Sequence, residues 1–110
     1  MLTGFTDPDA EVIGNRLFYD LAMPSVSRLA RSMAHDLRPH GVTALAVSPG
    51  FTRTEAILAA LGDHLPPGSD SIEFPGRAVR ALITDPDVAR HAGSTIPVAE
   101  LALEYGFTDV

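Results

Sequence analysis

Among its 110 residues the chain has no cysteine, no lysine and no tryptophan. Without cysteine it can form no disulfide, no thiolate nucleophile and no thiolate metal site. All fixed positive side-chain charge rests on 8 arginines, set against 14 acids for a net charge of −6. That balance makes nucleic acid an unexpected partner, because a phosphate backbone calls for clustered positive charge. No apolar run approaches the roughly 20 residues of a membrane-spanning helix. The first residues also lack the basic start and apolar stretch of a secretory signal. The expectation is a cytoplasmic protein with no membrane partner. Histidine is sparse: His35 and His40 are five apart across a helix end, and His64 and His91 stand alone, so no metal site is expected. A Gly-x-Ser-x-Gly elbow is missing too, which leaves Ser48 a poor hydrolase nucleophile.

What is present reads as one α/β unit. From Ala22 the apolar positions Val26, Leu29, Ala30, Met33 and Leu37 recur at three- and four-residue spacing, with Arg28, Arg31 and Asp36 between them. This predicts an amphipathic helix from about residue 20 to about residue 39 whose apolar stripe is core. Pro24 is expected in its first turn, where a missing N–H costs least. Pro39 and Gly41 end it. Val42 to Val47 is a nearly continuous apolar run of strand length, the habit of a strand covered on both faces in a parallel sheet. Ser48-Pro49-Gly50 breaks it, at the carboxyl end where open parallel sheets bind ligands.

Thr54 can cap a short helix, Glu55 to Leu61, with Gly62 as its stop. Residues 63–71 carry Pro66-Pro67-Gly68 and read as a loop. A further helix is expected to start at Pro75, to bury Val79, Leu82 and Ile83, and to end before Asp85-Pro86. Asp87 to His91 adds a turn, and Ser94 to Val98 reads as a second strand that Pro97 confines to a sheet edge. Strand, helix and strand in this order imply a parallel crossover. The tail from Ala99 has a short helical pattern at Leu101, Ala102 and Tyr105 with no legible role. At the other end, Met1 to Phe5 could close a strand and Thr6 to Ala10 reads as a turn.

Tyr19-Asp20-Leu21-Ala22-Met23, the helix behind it, the apolar strand and the loop Ser48-Pro49-Gly50-Phe51-Thr52-Arg53-Thr54 together resemble the C-terminal half of a short-chain dehydrogenase/reductase. The ending Glu104-Tyr105-Gly106-Phe107-Thr108-Asp109 looks like one subgroup, the dehydrogenase/reductase member 1 type. The resemblance implies the C-terminal part of a Rossmann-like, doubly wound parallel sheet. Residues 1–110 would then be a single partial domain with the N-terminal cofactor-binding half absent, since no glycine-rich pyrophosphate turn occurs in the sequence. It further implies NAD or NADP as cofactor, a small-molecule carbonyl or alcohol substrate, and a homo-oligomer built on the long helix.

By the same resemblance Tyr19 is the proton-exchanging residue, and Pro49, Gly50, Phe51 and Thr54 contact the nicotinamide end of the cofactor. The family also has a serine upstream of the tyrosine. Thr6, thirteen positions ahead of Tyr19, and Thr3, sixteen ahead, are the hydroxyls that could replace it. The family motif is Tyr-x-x-x-Lys, however, and here the fourth place after Tyr19 is Met23. A free phenol has a pKa near ~10, so a tyrosine working near neutrality needs adjacent positive charge. Losing a positioned acid or base forfeits ~10²–10⁴ in rate. The expected function is thus an oxidoreductase homologue that is inactive as an isolated chain. The alternative is a non-enzymatic remnant or association module that pairs through the long helix and an exposed sheet edge.

Overall fold

The computed structural model describes residues 17–110; the expected strand end at Met1 to Phe5, the turn after it and both candidate threonines, Thr3 and Thr6, lie outside the described residues. The first element, α1, spans Leu17–Leu37 and passes into a 3-10 turn at Arg38–His40, closed by Gly41 in a left-handed conformation. It begins earlier than the expected residue 20, which places Pro24 in the helix interior rather than the first turn. A proline there removes one intrahelical hydrogen bond. Beside it the Ser25 hydroxyl donates to the Ala22 carbonyl at 2.5 Å.

The strand β1, Ala46–Ser48, is shorter than the run from Val42 that periodicity suggested. It pairs in parallel with β2, Thr95–Pro97, in the register Ala46↔Thr95, Val47↔Ile96 and Ser48↔Pro97. Ahead of the three paired residues the Ala44 carbonyl accepts from the Gly93 N–H at 2.8 Å, so the stretch before β1 runs beside the segment that enters β2 without adding a residue to the paired register. The expected parallel pairing holds, as does the double covering: Ala46 is 0% and Val47 2% exposed, and neighbours in a strand point to opposite faces. Among the described residues the sheet has these two strands.

Between them come α2, Glu55–Leu61, and α3, Glu73–Thr84. Thr54 caps α2 as expected, its hydroxyl accepting from the Ile57 N–H at 3.4 Å, and the Gly62 N–H closes the other end on the Leu58 carbonyl. Helix α3 starts two residues before Pro75, which still lies in the first turn, where its missing N–H has no partner to lose. It ends before the Asp85-Pro86 pair, with Asp85 extended at ψ 115°. A 3-10 turn at Val88–His91 leads into β2, and α4, Val98–Tyr105, follows directly and ends on left-handed Gly106.

The main core lies where α3 and α4 meet one face of the sheet: Val47, Phe74, Ala78, Leu82, Ile96, Val98 and Leu101. The tail from Ala99, illegible in sequence, therefore supplies one of its most buried members, Leu101, and Val98, expected to end the strand, instead opens α4 and is buried with it. On α3 the buried face is Phe74, Ala78 and Leu82, whereas Val79 and Ile83 are exposed, against expectation. Helix α1 likewise buries Ala30 and Ala34 and leaves Leu29 and Met33 outside. The reason is steric. Gly93 approaches so closely that a methyl group on it would meet the Ala34 Cβ at 3.5 Å, a distance that small residues permit and leucine does not.

Candidate functional site

Beyond the carboxyl end of β1 the chain turns at Pro49-Gly50, where Gly50 takes φ +75°, a conformation that side-chain-bearing residues avoid. A Cβ placed there would stand 3.5 Å from Asp70 Oδ2. The next residues are tied to the same stretch: the Asp70 N–H donates to the Phe51 carbonyl and the Arg53 N–H to the Asp70 carbonyl, both at 2.9 Å. The Arg53 guanidinium donates to the Ser69 carbonyl and, at 3.3 Å, to its hydroxyl. The loop that sequence reading left unstructured over 63–71 therefore forms a wall beside the Pro-Gly turn, through an isolated parallel bridge between Thr52 and Asp70.

Two polar groups in this corner have unusual surroundings. Thr52 Oγ1 is buried and has no hydrogen-bond partner, and such a group costs free energy unless something pairs with it. The Asp70 carboxyl is held above its ordinary range, first by burial and then by the nearby Asp109 carboxylate, with Arg53 acting in the opposite sense. Asp109 is lowered because the Ser71 hydroxyl and the Ser71 N–H, the latter at 2.8 Å, both donate to it.

Of the residues singled out in sequence, Gly50, Phe51 and Thr54 share this corner with Pro49, and the Thr54 oxygen is occupied by its capping bond while its hydrogen stays free to donate. Tyr19 stands in the first turn of α1, 39% exposed. Met23, four residues on and so on the same helical face, is half-buried. Sequence reading missed Thr52 and Asp70. A threonine within a Pro-Gly-x-Thr run carries no local mark of being orphaned, and Asp70 comes near it through tertiary structure alone.

The terminal run Glu104 to Asp109 acts as a clasp. The Tyr105 hydroxyl donates to Asp85 Oδ2 at 2.5 Å, Arg90 Nη1 donates to the same carboxyl oxygen at 2.5 Å, and Arg90 Nη2 donates to Glu104. His91 Nε2 lies 3.0 Å from the Glu104 carboxylate. Phe107 meets Phe74 edge to face, with centroids 5.6 Å apart. The Thr108 carbonyl accepts from Arg77 at 2.8 Å, and Asp109 holds Ser71. Asp85 is pushed down to about 2, chiefly by the tyrosine hydrogen bond and the Asp87 N–H. The clasp joins α4 to the end of α3 and to the wall of the Pro-Gly corner.

No helix among the described residues is long and apolar enough to cross a membrane. No family model matches the chain. Two curated proteins are similar to it: Dehydrogenase/reductase SDR family member 1 of Mus musculus, 30% identical over 105 residues, and its counterpart in Homo sapiens, 29% identical over 109 residues. Each match covers 84% of this chain and 34% of the relative. The chain thus spans about a third of the length of the curated relatives it matches, within their C-terminal half. The resemblance to that type of dehydrogenase/reductase, drawn first from the residues, holds over most of the sequence.

Proposed function

We propose that this chain is an NAD(P)-dependent oxidoreductase homologue of the short-chain dehydrogenase/reductase type, carrying the C-terminal part of a Rossmann-like sheet, and that it is inactive in isolation. The observation that carries the reading is the corner beyond β1: a left-handed Gly50, an unpartnered buried Thr52 hydroxyl and a Thr54 hydrogen free to donate. Donors and acceptors in this arrangement suit a carboxamide, which presents one carbonyl and one amino group. The residues present therefore fit the nicotinamide end of the cofactor, with Pro49, Gly50, Phe51 and Thr54 holding it. The bound nicotinamide would supply the hydride for a carbonyl or alcohol substrate.

Within this chain Tyr19 would pass the proton to or from the substrate oxygen. It sits on the same helical face as Met23, whose thioether carries no charge where the family motif has lysine. The chain also has no glycine-rich turn for the pyrophosphate. Both features support inactivity of the isolated chain. The test is its thermal midpoint with NADH or NADPH on the order of millimolar, where binding at Kd a hundredfold lower would add about 2.7 kcal/mol. An unchanged midpoint and no oxidation of the reduced cofactor by carbonyl compounds are expected. A saturable rise with turnover would overturn the proposal of inactivity.

A second reading, association, rests on the side of β1 that carries no strand among the described residues. Met33 and Leu37 of α1, Val42, Val47, and Val79 and Ile83 of α3 line an apolar trough of about 430 Å³ along that strand. Val42 is 49% and Ile83 78% exposed. A strand edge without a neighbour among the described residues, flanked by apolar side chains, is a template for another strand. Sedimentation should show association that grows with concentration, and a stable monomer across the range would remove this reading.

A further inference from the structure

Three of the seven arginines among the described residues are engaged. Arg53 donates to Ser69, Arg77 to the Thr108 carbonyl, and Arg90 binds Asp85 and Glu104. The guanidinium groups of Arg28, Arg31 and Arg38 have no hydrogen-bond or ion-pair partner among the described residues, and Arg80 on α3 is the other so placed. In a chain of net charge −6, unpaired guanidinium groups gathered in one place need a cause. Positions 28, 31, 35 and 38 follow helical spacing, so three arginines and His35 make one stripe about 15 Å long.

The stripe forms one wall of a groove. Arg31, His35 and Arg38 face Ala92 and Gly93 across a cavity of about 520 Å³. Ser27, Arg28 and Arg31 face Ala92 to Thr95 across one of about 540 Å³. The two share Arg31, Ala92 and Gly93 and so form a continuous trough. Gly93, at φ +79°, keeps the far wall against the helix. Two features stay unresolved in the protein alone. Arg28 and Arg31 stand three residues apart, a like-charge spacing that destabilises a helix. Ser27 Oγ, at the same end, is buried with no hydrogen-bond partner.

We propose that this trough is a binding site for a linear oligophosphate, a site separate from the Pro-Gly corner. The planar guanidinium fork matches phosphoryl oxygens in bidentate fashion, and the hydroxyls of Ser27, Ser94 and Thr95 line the end where Arg28 stands. A stripe about 15 Å long suits a chain of phosphoryl groups better than one group, which could reach no more than a neighbouring pair of arginines. Asp36, 3.2 Å from His35, borders the stripe and limits how far the anion extends on that flank.

The test is calorimetric titration of the chain with inorganic tripolyphosphate, pyrophosphate and orthophosphate at constant ionic strength set with chloride. Tripolyphosphate is expected to bind at one saturable site, more tightly than pyrophosphate and far more tightly than orthophosphate. Arg31→Ala, which alters both halves of the trough, should weaken tripolyphosphate by about tenfold or more. Arg28→Ala and Arg38→Ala should each weaken it, and Arg80→Ala should leave it unchanged. All four side chains are exposed, so circular dichroism should show the wild-type fold in each variant. Should Arg31→Ala fail to fold, Arg38→Ala carries the same comparison. Equal affinity for orthophosphate and tripolyphosphate, no binding above the chloride background, or an Arg80→Ala loss as large as that of Arg31→Ala or Arg38→Ala would overturn the proposal.

Discussion

Replacing Leu101 with alanine tests whether α4 is part of the core or an appendage. Leu101 is 0% exposed and sits among Val47, Phe74, Leu82, Ile96 and Val98. Leu103, two residues on, is 86% exposed, so the same substitution on the same helix serves as its control. A buried leucine cut to alanine loses about 2–5 kcal/mol, the transfer term plus the cavity left behind. For a domain near this size about 3 kcal/mol lowers the thermal midpoint by roughly 12–24 °C, and it removes a large share of the roughly 5–15 kcal/mol that holds a domain folded. Leu103→Ala should stay within about 0.5 kcal/mol of wild type. Urea unfolding followed by far-UV circular dichroism reads both, with equal slopes expected for the two variants and wild type. Equal costs for Leu101→Ala and Leu103→Ala, or a Leu101→Ala protein as stable as wild type, would refute the packing described for α4.

The remaining predictions concern backbone and charge. Gly93→Ala, at φ +79° and facing Ala34, should destabilise by about 1–2 kcal/mol. Gly76→Ala, inside α3 with open space around it, should stabilise by up to about 1 kcal/mol; the same denaturation assay reads both signs. Asp85 has a lowered folded-state pKa of about 2, so its contribution is present above the unfolded carboxylate range near ~3.9 and lost as pH falls toward about 2. Asp85→Asn should therefore flatten the acid limb of a stability–pH profile. Asp70 is raised, the opposite case: its effect favours folding at low pH and is lost as pH rises through its folded value. Asp70→Asn should accordingly raise the midpoint at neutral pH, with the gain disappearing in acid.

Local signals in the sequence located elements well where the chemistry is local. The cap at Thr54, the stop at Gly62 and the break at Asp85-Pro86 each depend on a few adjacent residues, and each stands where it was expected. Faces were less legible. The apolar set from Val26 to Leu37 is wide enough to point two ways, and tertiary packing, with Gly93 closing on Ala34, turns Ala30 and Ala34 inward and leaves Leu29 and Met33 out. On α3 the same ambiguity exchanged Val79 and Ile83 for Phe74 and Ala78. Strand length was overstated because the run from Val42 describes what β1 could pair, whereas β2 offers three residues.

The candidate site divides similarly. Pro49, Gly50, Phe51 and Thr54 were identified by resemblance and lie together in one turn, but the orphaned Thr52 hydroxyl and the Asp70 carboxyl beside Gly50 emerge from packing between distant segments. The ending Glu104 to Asp109 carried family character without a visible reason. Its hydrogen bonds to Asp85, Arg90, Arg77 and Ser71 give it one: it fastens the last helix to α3 and to the loop that walls the Pro-Gly corner.

The central claim is that the scaffold is of the dehydrogenase/reductase type and that Met23 removes the charge its tyrosine needs. The most direct measurement is oxidation of NADH and NADPH, with a panel of small carbonyl compounds, by a graft. In it residues 17–110 replace the matching third of the mouse relative. With Met23 the graft should be nearly inactive; Met23→Lys should raise turnover by ~10²-fold or more, and adding Tyr19→Phe should abolish the gain. A folded Met23→Lys graft no faster than its parent, or a rescued rate indifferent to Tyr19→Phe, would contradict the account.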